Sequence, residues 1–191
     1  MRYEAEHKSQ TRDRIVRNAS RKIRAEGLSG PGVASLMKAS GLTVGGLYKH
    51  FRSKDELLAD AIGLGFSEVS DKARSLLKGV PREHWWKEIV RWYLSPEHCD
   101  HPGSGCPVAT LAPDIARAKS SMKKRIAGQM KGFTEQWVEF MPGATAKERE
   151  KNFFVIFSAM VGAVSTARLL TEPAARQKVL SGVQDYLLHS F

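Results

Sequence analysis

Two groups of side chains in this sequence have types and spacings suited to chemistry. The first is Thr43-Val44-Gly45-Gly46-Leu47-Tyr48-Lys49-His50-Phe51, followed by Ser53-Lys54. Wound as a helix at about 100° per residue, the segment turns Leu47 and Phe51 to one side, with Val44 leaning towards them. Gly45 and Lys49 then face the other way, flanked by Gly46, Tyr48 and Arg52. Cations, a phenol and bare backbone on an apolar footing suit a helix laid against a polyanion in a groove. Lys54 adds a charge in the first turn of the next helix, where free N–H groups and the positive dipole end favour a phosphate. The second group is His98, Cys99, Asp100, His101 and Cys106. Sulfur and imidazole nitrogen within one loop are ligands for zinc or copper. The spacing lacks the paired CxxC or HxxxH of well-formed sites, so no metal is expected. Cys106 precedes Pro107 at an apparent helix start, where the dipole stabilises a thiolate and makes it a candidate thiol sensor. The plainer reading is a small residue buried there.

The neighbouring elements must position these groups. Val33, Leu36 and Met37 recur at helical spacing, Gly41 sits where the chain turns sharply, and Thr43 is placed to cap the helix that follows. Ser53 and Glu56 form a capping box for a third helix. This is helix-turn-helix grammar. Upstream, Ile15, Val16, Ala19 and Ile23 make one helical stripe over residues 8–26, with Arg12, Arg14, Arg17, Arg21, Lys22 and Arg24 on the remaining surface and Gly27 as the stop. Residues 1–7 read as a loose arm. The helix from Lys54 runs towards Lys78; Gly63 and Gly65 each cost it about 1 kcal/mol relative to Ala, which predicts close packing or a bend.

Gly41-Leu42-Thr43, Gly46-Leu47-Tyr48-Lys49-His50-Phe51, Ser53-Lys54 and Leu57, taken together, resemble the DNA-binding signature of the tetracycline-repressor (TetR) family of bacterial regulators. The resemblance covers about the first third of the chain. It implies an all-α homodimer with an N-terminal three-helix helix-turn-helix domain, residues 1–53, that binds double-stranded operator DNA. Residues 54–191 would then form a C-terminal helical effector and dimerisation domain. By the same resemblance Thr43, Tyr48, His50 and Lys54 contact phosphates, and Val44, Gly45, Gly46 and Lys49 lie nearest the bases. The expected function is transcriptional repression, released from a palindromic operator by a small-molecule or thiol-reactive effector. A helical enzyme or metal-binding protein using His98, Cys99, His101 and Cys106 is the alternative. Pro31-Gly32 departs from the family pattern, in which hydroxyl residues are commoner, and predicts a weak cap on the first short helix.

Charge agrees with an anionic polymer as partner. The chain of 191 residues carries a formal net charge of +10. Twelve Lys or Arg stand against seven Asp or Glu in the first sixty residues and 18 against 13 in the remaining 131, so the basic surplus is about twice as dense at the N-terminal end. No Gly-rich phosphate loop, nucleophile elbow or HExxH occurs, which argues against an enzyme, and no cofactor is expected. The N-terminus is studded with charges where a signal peptide has an apolar core. The most apolar run, 153–164, falls short of the roughly 20 residues that cross a bilayer. A cytoplasmic location, no membrane partner and two free thiols are expected.

Further along, Pro81 is placed to open a helix through Leu94, and the prolines and glycines of 95–107 predict an irregular loop. Met122, Ile126, Met130, Phe133, Trp137 and Phe140 share one helical face. Trp85, Trp86, Trp92, Tyr93, Met130, Phe133 and Trp137 are the candidate lining of an apolar effector pocket. No carboxylate or guanidinium stands among them, so a hydrophobic or weakly polar compound is expected. Thr145 and Glu148 make another capping box for a helix that is apolar most of the way round, and Pro173 opens the last one. More apolar surface than a small domain can hide predicts a homodimer through these last two helices. In the family resembled here, they form a four-helix bundle between subunits.

Overall fold

The computed structural model describes residues 2–191, with side chains from residue 6 onward. Among these residues there are helices and no strand, as the periodicities require. Helix α1 (Arg2–Glu26) starts earlier than its apolar stripe. The loose arm is therefore corrected over residues 2–7, where no Gly or Pro interrupts a run of helix-tolerant residues; Met1 lies outside the described residues. Ile15, Ala19 and Ile23 are fully buried, and Gly27 ends the helix at φ +83°. Helix α2 (Val33–Lys38) begins at Gly32 without a side-chain cap, and Gly41 turns the chain at φ +70°.

Arg24 is a correction to the basic outer face expected of α1. Its side chain is fully buried, paired with Glu68, and donates to the carbonyls of Ser20 at 3.1 Å and Gly105 at 2.9 Å. A buried cation persists when its counter-charge and donors are satisfied in this way.

Helix α3 (Lys54–Leu76) packs against α1 on one side and a later helix on the other. Ser53 Oγ accepts the Glu56 N–H at 3.1 Å, but the Glu56 carboxylate reaches back to the N–H of Arg52 at 2.7 Å, one residue beyond a regular box. The helix runs unbroken across Gly63 and Gly65, and both are closely packed. A Cβ on Gly65 would lie 2.7 Å from Cγ of Pro107, and one on Gly63 would lie 2.5 Å from Nε2 of Gln129.

A 3-10 turn (Arg82–His84) leads into α4 (Trp85–Tyr93). Segment 95–107, expected to be irregular, contains the short helix α5 (Pro96–Asp100) and a 3-10 turn (Pro102–Ser104). The reason is local: Ser95 Oγ accepts the His98 N–H at 3.2 Å, and Pro96 fills a first helical position whose N–H would have had no partner. Then come α6 (Pro107–Arg117) and α7 (Ser120–Trp137), which buries Met122, Ile126, Phe133 and Trp137 along one stripe. The Thr145–Glu148 capping box is complete at the start of α8 (Ala146–Ala167), which pairs with α9 (Pro173–Ser190). That pair and the turn between them leave Phe154, Val155, Leu169 and Tyr186 exposed. Among the described residues no helix is long and apolar enough to cross a membrane.

Candidate functional site

Val44–Lys49 winds as a six-residue 3-10 helix, tighter than the α-helix its spacing predicts. Thr43 stands at the N-cap with extended backbone, yet its hydroxyl makes no cap bond; the first turn closes through its carbonyl, which accepts the Gly46 N–H at 2.9 Å. Leu47 is fully buried and Phe51 nearly so, which fixes the segment from behind. The guanidinium of Arg12 lies 4.8 Å over the Phe51 ring.

The other side of the segment is open. Tyr48 is 67% exposed and Val44, expected to lean inward, is 47% exposed. Thr43, Gly45 and Lys49 are exposed beside them, and nothing lies within 4 Å of a Cβ built on Gly45. Gly46 is partly covered; a Cβ built on it would lie 3.6 Å from Cε of Met37. Lys54 and His50 are half-buried at the segment's far end. Burial first, and then the charges of Lys8, Arg12 and Lys49, lower the His50 pKa, so at neutral pH its ring is an uncharged donor. An anchored segment that presents backbone, a phenol and an ammonium outward can meet both phosphate oxygens and base edges.

A second feature lies in the C-terminal body. Trp92, Tyr93, Phe133 and Trp137, with Val69 of α3 and Phe157 of α8, help line a small apolar cavity of about 30 Å³. Trp85, Trp86 and Met130 do not line it. Trp85 and Trp86 sit two turns, about 10 Å, along α4 from Trp92 and Tyr93. Trp85 packs on Phe140 with centroids 4.4 Å apart and donates to the Val80 carbonyl at 2.9 Å. The Tyr93 hydroxyl is buried beside the Cys106 thiol without a well-formed hydrogen bond, and burial raises its pKa.

The loop cluster does not converge. His98 is buried; its Nδ1 donates to the Tyr93 carbonyl at 2.7 Å, and its Nε2 accepts the Cys106 N–H at 3.0 Å. Asp100 pairs with Arg176, and His101 Nδ1 bonds to the Glu97 carbonyl. Among the described residues no three His, Cys, Asp or Glu side chains are placed to hold a metal. Cys106 does begin α6, but it is fully buried, and burial raises its thiol pKa. The stabilised thiolate is thus corrected: desolvation outweighs the dipole and the neighbouring N–H groups.

Between the Val44–Lys49 segment and the cavity stands Asp60 of α3, which pairs with Arg12 of α1 and Arg125 of α7. Reading of the sequence passed over it. The available signal was the recurrence of Arg125, Gln129, Phe133 and Trp137 at every fourth position, which carries one face of α7 from cavity wall to charge.

Residues 15–61 match the family described as bacterial regulatory proteins, tetR family. Among solved structures, a TetR-family transcriptional regulator from Cytophaga hutchinsonii is similar with a TM-score of 0.76 at 17% identity, covering 96% of each chain. The reduced form of NemR from E. coli gives 0.70 at 17% identity over 94% of this chain and 96% of that one. FadR from Bacillus subtilis in complex with stearoyl-CoA gives 0.67 at 14% identity over 93% and 98%. At such identities the likeness is one of fold. No curated protein matches the chain in sequence.

Proposed function

We propose that the chain, whose residues 15–61 match the tetR family of bacterial regulatory proteins, is a DNA-binding repressor of that family that leaves a palindromic operator when an apolar molecule enters its cavity. Residues 1–53 read the DNA, and residues 54–191 take the effector and hold two copies together. In this reading Thr43, Tyr48, His50 and Lys54 neutralise or hydrogen-bond phosphates, while Val44, Gly45, Gly46 and Lys49 approach the bases. One observation above all supports it: Leu47 and Phe51 are buried behind a segment whose Val44 and Tyr48 remain open.

Two such segments, about 34–36 Å apart in a two-fold dimer, would enter successive major grooves. The exposed Phe154, Val155, Leu169 and Tyr186 support α8 and α9 as the pairing surface. The uncharged lining of the cavity supports an apolar, uncharged effector or the apolar part of a larger one. The Bacillus subtilis FadR structure contains stearoyl-CoA, which supports ligand entry in this fold. Release by a thiol-reactive compound has geometry against it, because Cys106 is sealed and its thiol is held protonated by burial.

Selection of bound duplexes from a random pool tests the reading. The expected result is one site with two half-sites related by a two-fold axis, an affinity that falls steeply with salt, and release by neutral apolar compounds. Capture of duplex without sequence preference, or a site one half long, overturns it.

A further inference from the structure

We propose that Asp60 is the joint through which the cavity governs the DNA-reading segment, a regulatory role that rests on the function proposed above. Its carboxylate holds one guanidinium on each oxygen: Arg125 of α7 on Oδ1 and Arg12 of α1 on Oδ2. Asp60 is 13% exposed at its side chain, so both pairs are partly shielded from solvent.

On the cavity side, α7 is stitched to α3 along a single stripe. Trp137 Nε1 donates to Ser70 Oγ at 3.3 Å, Phe133 packs on Phe66 with centroids 5.3 Å apart, and Gln129 Nε2 donates to the Ala59 carbonyl at 3.1 Å. Gly63 leaves the room that Gln129 occupies. Arg125 comes one turn further on. The stripe therefore starts in the cavity wall at Trp137 and Phe133 and ends at Asp60.

On the DNA side the line continues through Arg12, which also lies 3.9 Å from Glu56 and 4.8 Å over the ring of Phe51. Phe51 and Leu47 are the two anchors of the reading segment. An occupant with two or more aromatic rings must part walls that leave only about 30 Å³, and close-packed side chains shift as a body instead of compressing. Displacement of α7 draws Arg125 from Oδ1 and leaves the Asp60 charge to Arg12 alone. The platform under Phe51 is then reset. Asp60 is thus a positioning residue: it touches neither DNA nor effector.

The test uses the full chain, a duplex it selects from a random pool, and N-phenyl-1-naphthylamine as a neutral apolar probe. Duplex affinity is measured with and without the dye, and dye affinity with and without the duplex. For the unsubstituted protein the two ligands weaken each other by the same factor, expected at about tenfold. In Arg125→Ala, duplex affinity without dye stays within about threefold while the mutual factor falls to about twofold or less; Arg125→Lys restores most of it. Asp60→Asn loses the mutual factor and also weakens duplex binding, because Arg12 loses its partner. An undiminished factor in Arg125→Ala overturns the proposal, as does independent binding of dye and duplex to the unsubstituted protein. Failure to select any duplex sinks the repressor reading itself, which distinguishes the two.

Discussion

The main-chain N–H of Cys106 donates to Nε2 of His98 across 3.0 Å, while Nδ1 of the same ring donates to the Tyr93 carbonyl at 2.7 Å. The ring is held neutral with no nitrogen open to a proton, and burial pushes its pKa down to about 4. Once unfolded, the imidazole titrates near its ordinary 6.5, so between those values the unfolded state binds more protons and stability falls as the pH is lowered. The loss from this ring alone should reach about 3 kcal/mol by pH 4. Urea midpoints measured from pH 7 to pH 4 check this: His98→Gln should lack that part of the slope, and a profile parallel to the unsubstituted protein would refute the assignment.

The two glycines of α3 should answer differently to alanine. At Gly65 the new methyl meets the Pro107 ring at 2.7 Å, with Arg24 behind it, and a loss of roughly 1–3 kcal/mol is expected. At Gly63 it meets only the end of the Gln129 side chain, which can swing aside, and helix propensity returns up to about 1 kcal/mol. Denaturation of the two single variants distinguishes them; equal destabilisation would mean that the seam at Pro107 is softer than its distances indicate.

Substitutions on the open face should separate affinity from choice of sequence. Tyr48→Ala and Lys54→Ala are expected to weaken every duplex alike, and Lys54→Ala to lower the salt slope by about one. Lys49→Ala should instead change which base is preferred, by about 1–3 kcal/mol at one position of each half-site. Binding across a base-substituted operator series decides the matter, since uniform losses for all three variants would abolish the distinction.

A paired charge placed on the closing helices should split the assembly. Val155→Asp with Tyr186→Asp is expected to convert a dimer into a monomer of unchanged helix content, visible by light scattering at micromolar concentration. Both positions are exposed on the single chain, so the fold itself should survive. A doubly substituted protein that remains dimeric would remove α8 and α9 from the interface.

The caps and stripes were legible because their signals are local. Thr145 with Glu148, Ser53 as the cap of α3, the turn at Gly41 and the anchors Leu47 and Phe51 all stand where residue type and spacing put them. The 3-10 winding of Val44–Lys49 was not legible, because a six-residue segment with Leu47 as its one buried position holds too few apolar positions to tell a period of 3.6 from one of 3.0. In segment 95–107 Pro and Gly read as breakers, although Ser95-Pro96 is also a helix start. Trp92 and Tyr93 line the cavity and Trp85 and Trp86 do not, a distinction set by how far along α4 the neighbouring helices reach. The pairings of Asp60 and Arg24 were not legible for a related reason: these partners lie 44 to 81 positions away in sequence.

Arg24 limits the exchange of parts between regulators of this architecture. A chimera joined after Ser53 would bring a guanidinium made for Glu68 and the Gly105 carbonyl into a body that offers neither. Such a hybrid needs those two partners transplanted with it, or Arg24 replaced by an apolar residue of similar volume such as Met. Exchange of the first three helices is therefore limited at a seam remote from the Val44–Lys49 segment, where Arg24 and Arg12 each need an acidic partner from the rest of the chain.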